Sequence, residues 1–195
     1  LTTLDDLEAT MPDRFVVNVS QLLPHKSQHV LIQALHILQT IHAMDLGLVL
    51  VGTVRSQAYG RGLEELGRRL RVRHLWFAGR RPDGALATIY RRATVFASAS
   101  MHEGLGIPPL EAMAFSVPSI VRDAGAVAET VGSGALVLPE DAGPLLFAEA
   151  IRRVVEDEPL RSVLIDRGAS RIDELAAANG TETLVALLEQ RVLPR

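Results

Sequence analysis

The chain has 195 residues, 48% of them hydrophobic but only 4% aromatic, which is enough for one α/β domain with an aliphatic core. A net charge of −3, with no aromatic-studded basic stripe, excludes a general nucleic-acid binder. The absence of cysteine excludes disulfides, thiol catalysis and cysteine-ligated metals, and no apolar run approaches the ~20 residues of a membrane span.

Leu1 to Asp13 is acidic, ends at Pro12-Asp13 and reads as a linker with at most one helical turn, which leaves residues 14–195 as the domain. It has neither the charged nor the apolar segment of a signal peptide. Its start, without an initiator methionine, reads as a mid-protein position in a longer chain. Phe15 to Val19 is a β-rich apolar run and predicts the first strand. A loop from Ser20 to His25 follows, and Ser27 is placed to cap a helix with apolar positions at Val30, Leu31, Ala34, Leu35 and Leu38. Lys26 then stands just outside a helix N-terminus, at the C-terminal edge of a strand, where open α/β sheets bind ligands.

Leu46 to Gly52 predicts the second strand, ending at a glycine where the backbone must pass close to something. A helix is expected from about Ala58 to Arg71, with Leu63, Leu66 and Leu70 on its apolar face. The third strand spans His74 to Gly79, and the loop Arg80-Arg-Pro-Asp-Gly84 leads into a short helix from Ala85 to Arg92. Ala93 to Ala99 is apolar throughout, as a buried parallel strand should be.

The next stretch runs Met101-His-Glu-Gly-Leu-Gly-Ile-Pro-Pro-Leu-Glu111. Proline suits a first helical turn, so a helix should open at Pro108 or Pro109. Gly104 and Gly106 let the chain turn sharply and bring bare amides near a ligand. A free helix N-terminus adds unpaired N–H groups and a partial positive charge, which suit a phosphate. Glu103 lies in the loop and Glu111 about one turn into the helix, so two carboxylates can accept bonds from hydroxyl groups at different parts of one ligand. A phosphate joined to sugars fits this arrangement better than a bare anion.

Val117 to Val121 predicts the fifth strand, and Asp123 to Glu129 leads into a short helix in which Glu129 organises the local backbone. Gly132-Ser-Gly134 is no dinucleotide fingerprint, because a strand, Ala135 to Leu138, follows where a helix is required. From Pro144 onward the pattern is helical: Leu145 to Val155, Leu160 to Ala178 with a break near Gly168, and Thr181 to Val192. Strands alternating with helices predict a doubly wound, Rossmann-like parallel sheet of about six strands, with helices on both faces and a helical C-terminus.

Other constellations lead nowhere. His25, His29, His36 and His42 lack a carboxylate partner at ligand spacing for zinc. His102-Glu103 begins a His-Glu-x-x-His pattern, but Gly106 stands where its second histidine belongs. There is no Gly-x-Ser-x-Gly elbow and no phosphate loop ending in Gly-Lys-Ser/Thr.

Glu-Gly-Leu-Gly-Ile-Pro-Pro-Leu-Glu-Ala-Met-Ala, residues 103–114, resembles the Glu-x7-Glu signature of the group 1 retaining glycosyltransferases of the GT-B fold. Leu105 replaces the phenylalanine usual there. Further matches run from about Phe15 to about Ala169. The resemblance implies that this chain is the C-terminal, donor-binding half of such an enzyme, with a nucleotide-diphosphate-sugar as substrate and no metal or other cofactor. The family's first turn reads Gly-Arg with a lysine a few residues on, both cations touching the donor pyrophosphate. Ser20 and Gln21 occupy the Gly-Arg positions and Lys26 the lysine, so half of the cationic clamp is missing.

By the same resemblance, Lys26 and Glu103 are the catalytic candidates. Glu103 with the Gly104–Gly106 amides would hold the sugar; Glu111 would take the ribose and Arg80 (or Arg81) the nucleotide base, with Gly52, His102 and Leu105 as further donor-binding residues. An acceptor domain is implied ahead of this chain, absent from these 195 residues, as is a cytoplasmic location with peripheral membrane contact left to that domain. Two rivals stay open: a sugar-nucleotide epimerase or glycogen-synthase-like relative of the same fold, and a non-catalytic nucleotide-binding or partner-binding module.

Overall fold

The computed structural model describes residues 13–177. The linker before Asp13 and the helix expected from Thr181 to Val192 lie outside them. Six parallel strands form one sheet: β1 (Phe15–Val19), β2 (Gly47–Val51), β3 (Leu75–Gly79), β4 (Val95–Ser98), β5 (Ser119–Arg122) and β6 (Ala135–Leu138). Their spatial order is β3-β2-β1-β4-β5-β6. The winding reverses between β1 and β4, which opens a crevice there, beyond the carboxyl ends of the strands.

Successive residues of a strand point to opposite faces, and each face carries its own core. On one side Val16, Leu48, Leu50, Val95, Ala97 and Ile120 meet helices α1 (Gln28–Thr40), α2 (Gln57–Arg69) and α6 (Pro144–Glu156), through side chains such as Leu31, Leu35, Leu63, Phe147 and Ile151. On the other, Phe15, Val17, Val49, Phe96 and Val121 meet α3 (Asp83–Arg92), α4 (Ile107–Ala114) and α5 (Val127–Val131), through Ile89, Tyr90, Leu110, Met113 and Val127. Burial on both faces explains why the central strands read as largely apolar runs rather than alternating ones, while β3 at the edge of the sheet is half-buried.

The last described helix, α7 (Glu158–Ala177), is continuous through Gly168, so the expected break is absent. Gly168 is there for packing. A Cβ would stand 3.1 Å from Met113 Cγ and 3.6 Å from the Gly134 carbonyl, so only a hydrogen lets α7 pass this close to α4 and to the turn at Gly132–Gly134. Leu164 of α7 belongs to the first core and Ile172 packs on the second, so the helix passes from one face to the other. Arg171 ties it down, donating to the carbonyls of Thr130 (2.9 Å) and Glu129 (2.8 Å).

Ser27 also departs from expectation. It occupies the N-cap position of α1, but at φ 51 and without a side-chain capping bond. Its backbone ends a tight turn over Pro24–Lys26, its own N–H donating to the Pro24 carbonyl. Lys26 therefore sits at the end of a helical turn that leads directly into α1.

Candidate active site

Two loops cross the carboxyl ends of the central strands, and each is held by backbone before any ligand is considered. In the β1–α1 loop, Ser20 N–H donates to the Val51 carbonyl (2.9 Å) and Leu22 N–H to that of Thr53 (3.0 Å), so the chain leaves β1 alongside the exit from β2. This closeness requires Gly52, which takes φ +145; a Cβ there would stand 2.0 Å from the Ser20 carbonyl oxygen. The close passage expected at this glycine is present, and its neighbour is the backbone of Ser20.

A chain of neutral side chains fixes the same loop from beneath. Asn18 Nδ2 donates to the Ala97 carbonyl (2.8 Å), Ser20 Oγ–H to Asn18 Oδ1 (2.8 Å), and Gln28 Nε2 to both Ser20 Oγ (2.8 Å) and the Gln21 carbonyl (2.9 Å). Asn18 and Gln28 are buried, and the amide groups that hold the loop are paired, while Gln28 Oε1 has no partner among the described residues. Gln21 therefore has a fixed backbone and an exposed side chain.

The β4–α4 loop is tied to the first. Met101 N–H donates to the His25 carbonyl (2.8 Å) and Ser100 Oγ–H to that of His102 (2.9 Å). Lys26 Nζ donates to Glu103 Oε2 (2.8 Å) and to the His102 carbonyl (3.3 Å). Each side chain of this ion pair is 17% exposed, which places it between surface and core. Gly106 supplies the sharp turn, at φ 67 in the N-cap position of α4. Gly104 does not share that role; its φ is not left-handed and a Cβ would meet open space.

Between these loops lies a cavity of ≈ 790 Å³, bounded by the ends of β1 and β2 and by the first turns of α3 and α4. Ser20, Gln21, Gly52, Arg80 and Glu111 all line it, with Arg81 and Asp83. Lys26, His102, Glu103, Gly104, Leu105 and Gly106 do not. They form the adjoining loop, which reaches the cavity wall where Gly106 passes into Ile107 and Pro108. His102 and Leu105 are exposed there. Glu111 is 4% exposed and accepts a bond from Tyr90 Oη (2.9 Å). Burial, then the neighbouring Glu111 charge, raises the Tyr90 hydroxyl well above the ordinary tyrosine range, so it remains a donor.

Two contributors were not foreseen in the sequence. Tyr90 is one. The other is Gly125, at φ 62, where a Cβ would stand 2.4 Å from the Glu103 carbonyl oxygen; it is the floor on which Glu103 rests. Its one sequence signal is a glycine among alanines immediately after a strand. His29 has a partner in Tyr59, with Nδ1 3.1 Å from the phenol oxygen, and burial followed by the charge of Arg122 lowers its pKa. Among the described residues no three His, Asp or Glu side chains are grouped as metal ligands would be.

Residues 4–171 match the family described as Glycosyl transferases group 1. The chain belongs to the group 1 glycosyltransferases. It is similar to the serotype-specific mannosyltransferase WbdA of Escherichia coli, 30% identical over 151 residues, which are 75% of this chain and 18% of that protein. It is also similar to the O-antigen chain mannosyltransferase B of Escherichia coli, 28% identical over 174 residues, 86% of this chain and 43% of the other. The chain thus spans less than half the length of these relatives.

Among solved structures, HepE of Anabaena in complex with UDP-glucose superposes with a TM-score of 0.77 at 22% identity, over 90% of this chain and 48% of that one. The C-terminal domain of the group 1 glycosyltransferase LpcC from Francisella tularensis gives a TM-score of 0.75 at 19% identity, over 88% of this chain and 90% of that one. At these identities the likeness is one of fold, and the fold is that of a GT-B glycosyltransferase domain.

Proposed function

We propose that this group 1 glycosyltransferase chain is the donor half of a retaining hexosyltransferase, binding a nucleotide-diphosphate-sugar for transfer to an acceptor held by a further domain. The observation that carries this reading is the cavity at the sheet's switch point, with the N-terminus of α4 on its wall and the Glu111 carboxylate buried within it. Glu111 accepts the ribose hydroxyls, while Gly52 and Arg80 face the base. The diphosphate lies toward the start of α4, Gly104 to Gly106 and Lys26, and the sugar rests against Glu103, Leu105 and His102. The UDP-glucose complex of HepE and the mannosyltransferase relatives support this class of ligand.

Transfer proceeds as the anomeric carbon–oxygen bond breaks and negative charge grows on the departing diphosphate. Helix N–H groups and the Lys26 ammonium are fixed in place before that charge develops, so they stabilise it without reorganising. No metal is needed in this scheme, since the cations are supplied by side chains and the helix dipole. A thermal-shift panel of uridine, guanosine and adenosine diphosphates with their sugar conjugates tests the reading. At least one should raise the melting temperature of the 195-residue chain, because a ligand of the native state stabilises by mass action. No shift with any of them at millimolar concentration, with no heat by titration calorimetry, would falsify the assignment.

Gln21 favours a second reading, a nucleotide-binding module that performs no transfer, because it brings no charge where the family carries arginine. Lys26 tests the phosphate site that both readings share. Lys26→Ala removes the phosphate cation and leaves the Glu103 carboxylate without its partner, so diphosphate affinity should fall about 10- to 100-fold. The loss should be largest at low salt and small for the nucleoside. Equal losses for diphosphate and nucleoside would remove Lys26 from the phosphate site. In the same assay Gln21→Arg should tighten diphosphate binding if the loop has the family geometry, and an unchanged affinity would mean that Gln21 points elsewhere.

A further inference from the structure

Beneath the cavity, the buried face of α3 carries a single polar group. Tyr90 is fully buried in the last turn of the helix, and its ring is held by two others: stacked on Phe115 with centroids 5.4 Å apart, and tilted against Phe96 at 6.5 Å. With the ring clamped, the hydroxyl has one fixed position. It stands 2.9 Å from Glu111 Oε2 and 3.3 Å from the Pro108 carbonyl. The hydroxyl has one proton, and the shorter contact is to the carboxylate, where a charge-assisted bond is strongest.

Glu111 is nearly as enclosed, at 4% exposed. A bond from a clamped donor restricts the plane and rotamer of such a carboxylate, and with them the orientation it presents to the cavity. The same helix lines the cavity through Asp83 and Leu86, about 10 Å and about 6 Å along the axis from Tyr90 at about 1.5 Å per residue. One rigid element therefore carries the cavity wall and the anchor of the cavity's buried carboxylate.

We propose that Tyr90 is the positioning residue of the donor site: its clamped hydroxyl aims Glu111 so that the carboxylate distinguishes ribose from a sugar without hydroxyls. This rests on the reading of Glu111 given above, and the test separates the two. Affinities of the 195-residue chain for uridine and guanosine diphosphates and for their 2′,3′-dideoxy counterparts are measured by calorimetry. The wild-type chain should prefer the ribose form of its nucleotide by about tenfold or more, as bonds to a charged group do. Tyr90→Phe, which keeps the packing, should shrink that preference to about threefold or less while leaving affinity for the dideoxy form within about twofold.

Phe147→Leu is the control for a merely structural role. It thins the core on the opposite face of the sheet and leaves the Tyr90 clamp intact, so the melting temperature should fall while the ribose preference stays. An undiminished preference in Tyr90→Phe overturns the proposal and leaves the nucleotide reading intact. A wild-type chain that binds both forms equally shows that Glu111 does not read ribose, and the proposal falls with it. A wild-type chain that binds neither nucleotide overturns the donor reading itself.

Discussion

Gly52→Ala should destabilise the fold by about 2–6 kcal/mol and remove nucleotide binding with it. Two effects add. A non-glycine residue at φ +145 is strained by about 1–3 kcal/mol. The new Cβ would also stand 2.0 Å from the Ser20 carbonyl, and because that neighbour is backbone, the loop or the strand must shift at a further cost of about 1–3 kcal/mol. The melting temperature should fall by about 5–20 °C for a domain of this size. Gly125→Ala should act more locally, pushing the Glu103 carbonyl away from a Cβ placed 2.4 Å from it. Gly104→Ala is the contrast, with open space around its Cβ and an expected change within about 0.5 kcal/mol. Denaturant melts of the three variants settle the order. A wild-type midpoint for Gly52→Ala would mean that the two loops do not pass each other at this distance.

The second large effect concerns turnover. If the chain is a donor half, then the isolated 195 residues should bind donor yet form no transfer product, and should hydrolyse the donor only slowly. Placing an acceptor oxygen beside the anomeric carbon is worth about 7–11 kcal/mol of a barrier, and nothing in a single sheet of six strands supplies it. Exclusion of water depends on closing a cleft between two walls, and the described residues form one of them. Joined to an acceptor domain, the chain should transfer with retention of configuration. Mass spectrometry of products from the chain alone, against a panel of sugar acceptors, is the measurement. Robust transfer without any added domain would show the half-enzyme reading to be mistaken.

The sheet was legible because its strands are buried on both faces. Phe15 to Val19 is apolar but for the buried Asn18, and Leu46 to Val51 is apolar throughout, so these runs left few other readings. The Glu103–Glu111 loop was legible because glycine, proline and carboxylate are confined there by local geometry, and Gly106 does take the left-handed turn expected of it. Three other positions were misread or unseen, two of them because the partner is distant in sequence. Gly168 looks like a helix breaker by propensity, whereas its small size is required by Met113 and Gly134. Ser27 looks like a cap, but the turn through Pro24 sets its backbone instead. Tyr90 looks like one more core aromatic, and nothing near it in the chain announces a carboxylate 21 residues later.

The bond between Asn18 and Ala97 spans 79 residues, and the one between Lys26 and Glu103 spans 77. A growing chain can pair β1 with β2, and β2 with β3, early, since these follow one another. The opposite wall arrives only after β4 has docked beside β1 and α4 has formed behind it. Parallel pairings across so long a separation form slowly, since loop closure precedes the contacts that reward it. A half-made sheet accordingly has no cleft, and the cleft appears in the same cooperative step that completes the domain. Ligand bound there would slow amide exchange throughout the central strands as well as in the loops it touches.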